Sequence, residues 1–262
     1  MIRSLYTAAS GMKVNQAYVD NISNNLSNVN TVGFKKSKIE FEDLMYQTMK
    51  EPGSENGDGT KAPVGVQIGL GARVVAADKQ FMQGNMEQTG NPLDAAIQGD
   101  GFFQVRLTNG EIGYTRAGDF KLSGDGYMCT NEGKILEPGI VIPEGVQDLY
   151  IDGDGRVMGT TQSGALPEEF GKLELARFIN PAGLRAQGGN LYTQTEASGE
   201  PVIGEPGLDG FGELKNQYLE SSNVQMVEEM VSMIVAQRAY EISSKAITTS
   251  DEMLQTATGL KR

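Results

Sequence analysis

Apolar residues return at two different periods along this chain, and the change of period divides it into parts. Near the start, Leu5, Met12, Val19 and Leu26 recur every seven residues, and Ala8, Asn15, Ile22 and Val29 form a second such series offset by three. Together they give the alternating three–four spacing of a coiled-coil seam. The pattern predicts a helix from about residue 3 to about residue 28, roughly 40 Å long at 1.5 Å per residue. At the other end Met226, Met233, Tyr240, Ile247 and Leu254 are again seven apart, with Met230, Gln237 and Ser244 in the offset positions. This predicts a second helix over 223–258. Ser222 as N-cap with Gln225 three residues on fits a capping box at its start.

Between the ends the periodicity shortens. Residues 101–139 hold short β-prone runs separated by the turn pairs Asn109-Gly110 and Asp125-Gly126, both strong hairpin signals. Residues 148–159 repeat the design around Gly153-Asp154-Gly155, and a further strand over 171–180 stops at Asn180-Pro181. Residues 51–63, EPGSENGDGTKAP, read as an extended polar loop. The expected fold is α+β: long N- and C-terminal helices paired as a coiled coil, an all-β central domain and an extended linker. The expected division is 1–32 for the first helix, 33–75 for the extended segment, 76–215 for the β domain and 216–262 for the last helix.

Composition narrows the function. The 262 residues include no His and no Trp, so the commonest general base and metal ligand are missing, as is the usual sugar-stacking ring. Asp152-Gly153-Asp154-Gly155 lacks the later ligands of a calcium loop, and Gly69-Leu70-Gly71 lacks the third glycine of a dinucleotide loop. Catalytic, metal-binding and cofactor-binding residues are therefore expected to be none, and the chain is not expected to be an enzyme. A single cysteine, Cys129, rules out an internal disulfide framework. The net charge of −12 lies in the middle: residues 51–220 carry −13, against +2 before and −1 after. That acidity opposes a nucleic-acid partner. No apolar run is long enough for a membrane span, and the interrupted N-terminus does not resemble a cleaved signal.

The helix ends need partners. Two seams this sparse, with Asn15 in one and methionines in the other, bury little in a lone pair, so further copies of the chain are expected to complete the packing and to order the ends on assembly. The first helix leaves through NNLSNVNTVGFKK (24–36), rich in amides that favour turns. Asn25 and Asn28 are expected to offer amides to neighbouring backbones, Gly33 to permit a sharp redirection, and Phe34 to anchor it. Lys35 and Lys36 are expected to stay in solvent or to meet a neighbour's acidic surface.

Several stretches resemble the bacterial flagellar rod and hook family. Asn24, Asn25, Leu26, Asn28, Val29, Gly33 and Phe34 match its N-terminal signature; Gln237, Arg238, Ala239, Tyr240, Glu241 and Lys245 match its C-terminal one. AAIQGDGFFQV (95–105) and YTRAGDF (114–120) match its middle, and the stretch 46–71 is similar to that of its distal rod members. Gln225 and Met230 depart from the family's commoner residues. The resemblance implies a subunit of the distal rod, a helical tube that carries motor torque to the hook. Its terminal helices would line the tube through Leu5, Met12, Val19, Ile22, Leu26, Met226, Met230, Met233, Tyr240, Ile247 and Leu254. It further implies homo-polymerisation, proximal rod protein and hook protein at the two ends, surrounding ring proteins, and passage through the flagellar type III export apparatus to a periplasmic rod. Cofactors, nucleic acid and membrane insertion are not implied. A proximal rod or hook subunit, or a soluble β-domain binding module or glycan enzyme, remain as alternatives.

Overall fold

A computed structural model describes residues 2–54, 63–161 and 166–259. Residues 55–62 of the expected polar loop and 260–262 of the expected last segment lie outside the described residues. The chain forms two compact units: one of residues 1–26, 37–78 and 225–262, the other of 27–36 and 79–224. The fold is α+β, with one long helix near each end and a large all-β region between them.

The first unit holds α1 (Ile2–Ser27) and α2 (Met226–Gly259). The capping box does not form. The first helical hydrogen bond runs from Glu229 N to Gln225 O, and the Ser222 hydroxyl instead accepts from Val224 N at 3.3 Å in the preceding turn. That turn is held by Asn223, whose side chain accepts from Lys36 N and donates to the carbonyls of Gln80 and Met82.

The described part of 33–75 is extended chain arranged in strands. It carries β1 (Ser37–Asp43), β2 (Tyr46–Lys50), β3 (Val66–Gly69) and β4 (Ala72–Lys79). β1 pairs with β4, and β2 pairs antiparallel with β3. Leu44 N donates to Gly71 O between the two pairs, so they join into one two-stranded ribbon. Such a ribbon is on the order of 45 Å long at 3.3 Å per residue.

The second unit is built on a six-stranded antiparallel sheet whose spatial order is 185–188, 191–193, 112–115, 102–106, 175–177, 202–204. A three-stranded sheet (147–151, 156–160, 168–172) and short pairs, such as 213–216 with 95–98, complete it. The Asn109-Gly110 turn joins 102–106 to 112–115, and Gly110 takes φ +84 as such a turn requires. One apolar cluster gathers Ile97, Phe103, Val105, Phe120, Met128 and Leu175, with the rings of Phe103 and Phe120 edge to face at 5.0 Å. A second holds Phe102, Tyr114, Phe178 and Tyr192 on the other face.

Candidate assembly interface

α1 and α2 run antiparallel, and each step of seven up one is matched by seven down the other. Ser4 Oγ meets Ser250 Oγ at 3.4 Å; a Cβ on Gly11 would lie 3.4 Å from Ser243 Oγ; Asn25 Nδ2 donates to Glu229 Oε2 at 3.3 Å. The inward series of α2 is therefore Glu229, Ala236, Ser243 and Ser250, one residue before Met230, Gln237 and Ser244. Ala236, Glu229 and Ser250 are buried. The small side chains of Ala236, Ser243 and Ser250 let the helices approach without large knobs there.

The expected seam residues divide accordingly. Ile22 is buried, while Leu5, Met12, Val19, Leu26, Met233, Ile247 and Leu254 are half-buried. Met226, Met230 and Tyr240 are exposed, as are Gln237, Arg238, Glu241 and Lys245 of the C-terminal signature; Ala239 is half-buried. Gln16, Val19, Gln237, Tyr240 and Glu241 line a shallow groove on the helix pair. Val227, Val231, Ile234, Val235 and Ile242 add a run of exposed aliphatic side chains along α2, Val227 at 74%. Exposed apolar runs of this kind are characteristic of interaction surfaces.

The ribbon packs on α1. Near its base, Ser37 exchanges two hydrogen bonds with the Asn25 amide, at 2.9 Å each. Asn25 thus acts as one more rung of backbone for β1. Tyr18 packs edge to face on Phe41 at 5.6 Å, and Gly71, at φ +121, leaves room for Ser10. Further out Met45, Tyr46, Met49, Val64 and Val66 are all exposed, Met45 at 82%. An isolated two-stranded ribbon is marginal in water. One that also exposes large apolar groups needs a cover.

The second unit contains the turn at 27–36. Gly33 takes φ +68, and a Cβ there would lie 2.6 Å from Ala117 N. Both conformation and space oppose any other residue. Phe34 is buried, with the Lys79 ammonium 4.4 Å above its ring. Asn28 Oδ1 accepts from the Thr31 hydroxyl at 3.2 Å, Val29 is half-buried, and Asn24, at the end of α1 in the first unit, is exposed. Lys35 departs from expectation. It is fully buried, donating to Glu220 Oε1 at 2.5 Å and to Met82 O at 2.7 Å. Glu220 also accepts from Gly84 N at 2.8 Å and faces Arg116 Nη1 at 3.4 Å. Burial lowers the pKa of Lys35, and Glu220 opposes that shift. The sequence reading missed this clasp because its members lie 185 and 104 residues apart. Its only local signal was a lysine directly after a turn glycine and a buried-type phenylalanine.

Among the described residues no group of His, Cys, Asp or Glu is placed to hold a metal, and no helix is long and apolar enough to cross a membrane. Three family descriptions match: "Flagella basal body rod protein" over residues 5–35, "Flagellar hook protein FlgE/F/G D1 domain" over 96–159, and "Flagellar basal body rod FlgEFG protein C-terminal" over 215–260. The flagellar basal-body rod protein FlgG of Borreliella burgdorferi is 48% identical over all of both chains. That of Caulobacter vibrioides is 44% identical over 99% of this chain and all of its own. That of Bacillus subtilis is 42% identical over all of both chains. On full-length identity of this order, with the three matched segments covering both helical ends and the β region, the chain belongs to the FlgG family of flagellar basal-body rod proteins.

Proposed function

We propose that the chain is a structural subunit of the flagellar distal rod, which self-assembles into a helical tubular drive shaft and transmits motor torque to the hook. The observation that carries this reading is the set of large apolar side chains on the outer face of α2 and on the ribbon, which a monomer leaves in water. In this reading α1 and α2 form the inner tube as a coiled coil, with Leu5, Met12, Val19, Ile22 and Leu26 and the exposed Met226, Met230 and Tyr240 shared between copies. The stretch 46–71 lies on a neighbouring subunit and stiffens the shaft, and the β domain forms the outer layer. A patch that meets a different patch on the next copy gives an open filament rather than a closed ring.

The partners follow from position: proximal rod protein below, hook protein above, ring proteins around, and the type III export apparatus as the route to a periplasmic rod. A proximal rod or hook position within the same architecture is the competing reading, and labelled protein located in purified basal bodies separates them. The direct experiment is electron microscopy of the full chain above a threshold concentration. Straight tubular polymers are expected. A chain that stays monomeric at millimolar concentration defeats the proposal.

A further inference from the structure

The β domain carries a cavity of about 350 Å³ that the helical surfaces do not involve. Its aromatic wall is Phe81, Phe102 and Phe178, with the Arg116 guanidinium 5.4 Å from the Phe102 ring centre. The Arg116 side chain is 3% exposed. Its Nη2 donates to Gly99 O at 2.8 Å, its Nη1 reaches Glu220 only at 3.4 Å, and its Nε has no hydrogen-bond partner. Glu220 is already committed to Lys35, so two buried cations share one carboxylate. Arg177 adds a second positive charge to the lining, beside Arg116. The rim is apolar: Ile179 is 88% exposed, and Val202 lies on the edge strand of the six-stranded sheet. Asp100, exposed at the mouth, opposes a bare inorganic anion. The cavity therefore suits an anionic group carried on a segment that also brings an apolar side chain and lies along a sheet edge.

We infer that this cavity docks residues Leu166–Glu169 of a second copy of the chain, with a glutamate towards Arg116 and Arg177 and Leu166 on the apolar rim. Leu166 is 86% exposed, and Glu168 and Glu169 beside it are exposed as well. The segment thus offers in four residues an apolar group for the rim and negative charges for the two arginines. Cavity and segment are different surfaces of one chain, so the contact propagates rather than closes. The inference rests on the rod-subunit reading for the presence of neighbouring copies.

A fluorescein-labelled synthetic peptide of residues 166–172, titrated into the full-length chain and followed by anisotropy, tests it. Saturable binding is expected, weakened at least about fivefold by Arg177→Glu or Ile179→Ser in the protein and by Gln at both glutamates of the peptide. Absence of saturable binding, or binding indifferent to all these changes, overturns the inference. Thermal melts of the two protein variants show whether each is folded, and the peptide change needs no folded variant. Pelleting of wild-type polymer separates the two proposals. Polymer without peptide binding rejects this contact and keeps the rod subunit; peptide binding without polymer does the reverse.

Discussion

Lys35 Nζ and Glu220 Oε1 lie 2.5 Å apart with neither side chain exposed to solvent. The pair fastens the turn at 27–36 to the strand 218–220, and Gly33 N donating to Glu220 O at 2.7 Å doubles the attachment. A buried ion pair gives little net stability over an apolar pair, because both charges lose water. Removing one partner is costly, because the other charge stays buried. Glu220→Gln strands both Lys35 and Arg116, so it is expected to cost about 3–5 kcal/mol in urea unfolding of the monomer. Lys35→Met leaves Arg116 and Glu220 paired and should cost less. An equal or reversed ranking contradicts the clasp.

Tyr192 gives the pH dependence a sign. Burial, with Arg116 opposing, raises its phenol from 10.0 to about 12. The folded state then holds a proton that the unfolded state releases above pH 10. Its stabilising effect is complete below pH 10 and is lost as pH rises towards 12, by at most about 3 kcal/mol at 1.36 kcal/mol per unit. Tyr192→Phe should flatten stability over that window and leave it sloping as before below pH 9. With no Trp in the chain, tyrosinate absorbance near 295 nm reads the titration directly. A Tyr192 that ionises with the exposed tyrosines refutes the assignment.

Gly33 and Gly53 separate two reasons for glycine. Both take positive φ, but a Cβ at Gly53 meets nothing within 4 Å, whereas at Gly33 it strikes the backbone of Arg116 and Ala117. Gly53→Ala is expected to cost about 1 kcal/mol from conformation alone. Gly33→Ala adds a clash that only a backbone shift relieves, for a total of at least about 3 kcal/mol. Calorimetry of the two variants compares them, and equal losses count against the close approach.

The two helices and the hairpins were legible because each announces itself locally. Leu5, Met12, Val19 and Leu26 keep one period over three seven-residue repeats, and Asn109-Gly110 fixes a turn from two residues. The inward face of α2 was not, because Ala236, Ser243 and Ser250 are chosen for size, and a search for apolar side chains passes over them. The ribbon was hidden by its own setting. With both faces largely in water within one copy, β2 and β3 show no one-sided alternation, and Pro52 and the polar run after it draw the eye to a loop. Lys35 was hidden by the opposite fact: a buried lysine is the rarest reading of any lysine, and its partner lies 185 residues away.

Folding and assembly should respond to different faces of α2. Val231 and Ile234 are 56% and 58% exposed, so an aspartate at either loses little intrachain packing. Val231→Asp and Ile234→Asp are expected to melt within a few degrees of wild type, surface changes being within about 0.5 kcal/mol. In a polymer the same carboxylate would be buried against an apolar neighbour, which raises the threshold concentration at least about tenfold or abolishes assembly. Ala236, only 1% exposed where α1 and α2 meet, is the counterpart: Ala236→Leu forces extra volume into a filled seam and should cost about 1–3 kcal/mol in the monomer. Light scattering gives the threshold and circular dichroism the melt. If the aspartate variants polymerise as wild type does, the outer face of α2 is not where the copies meet.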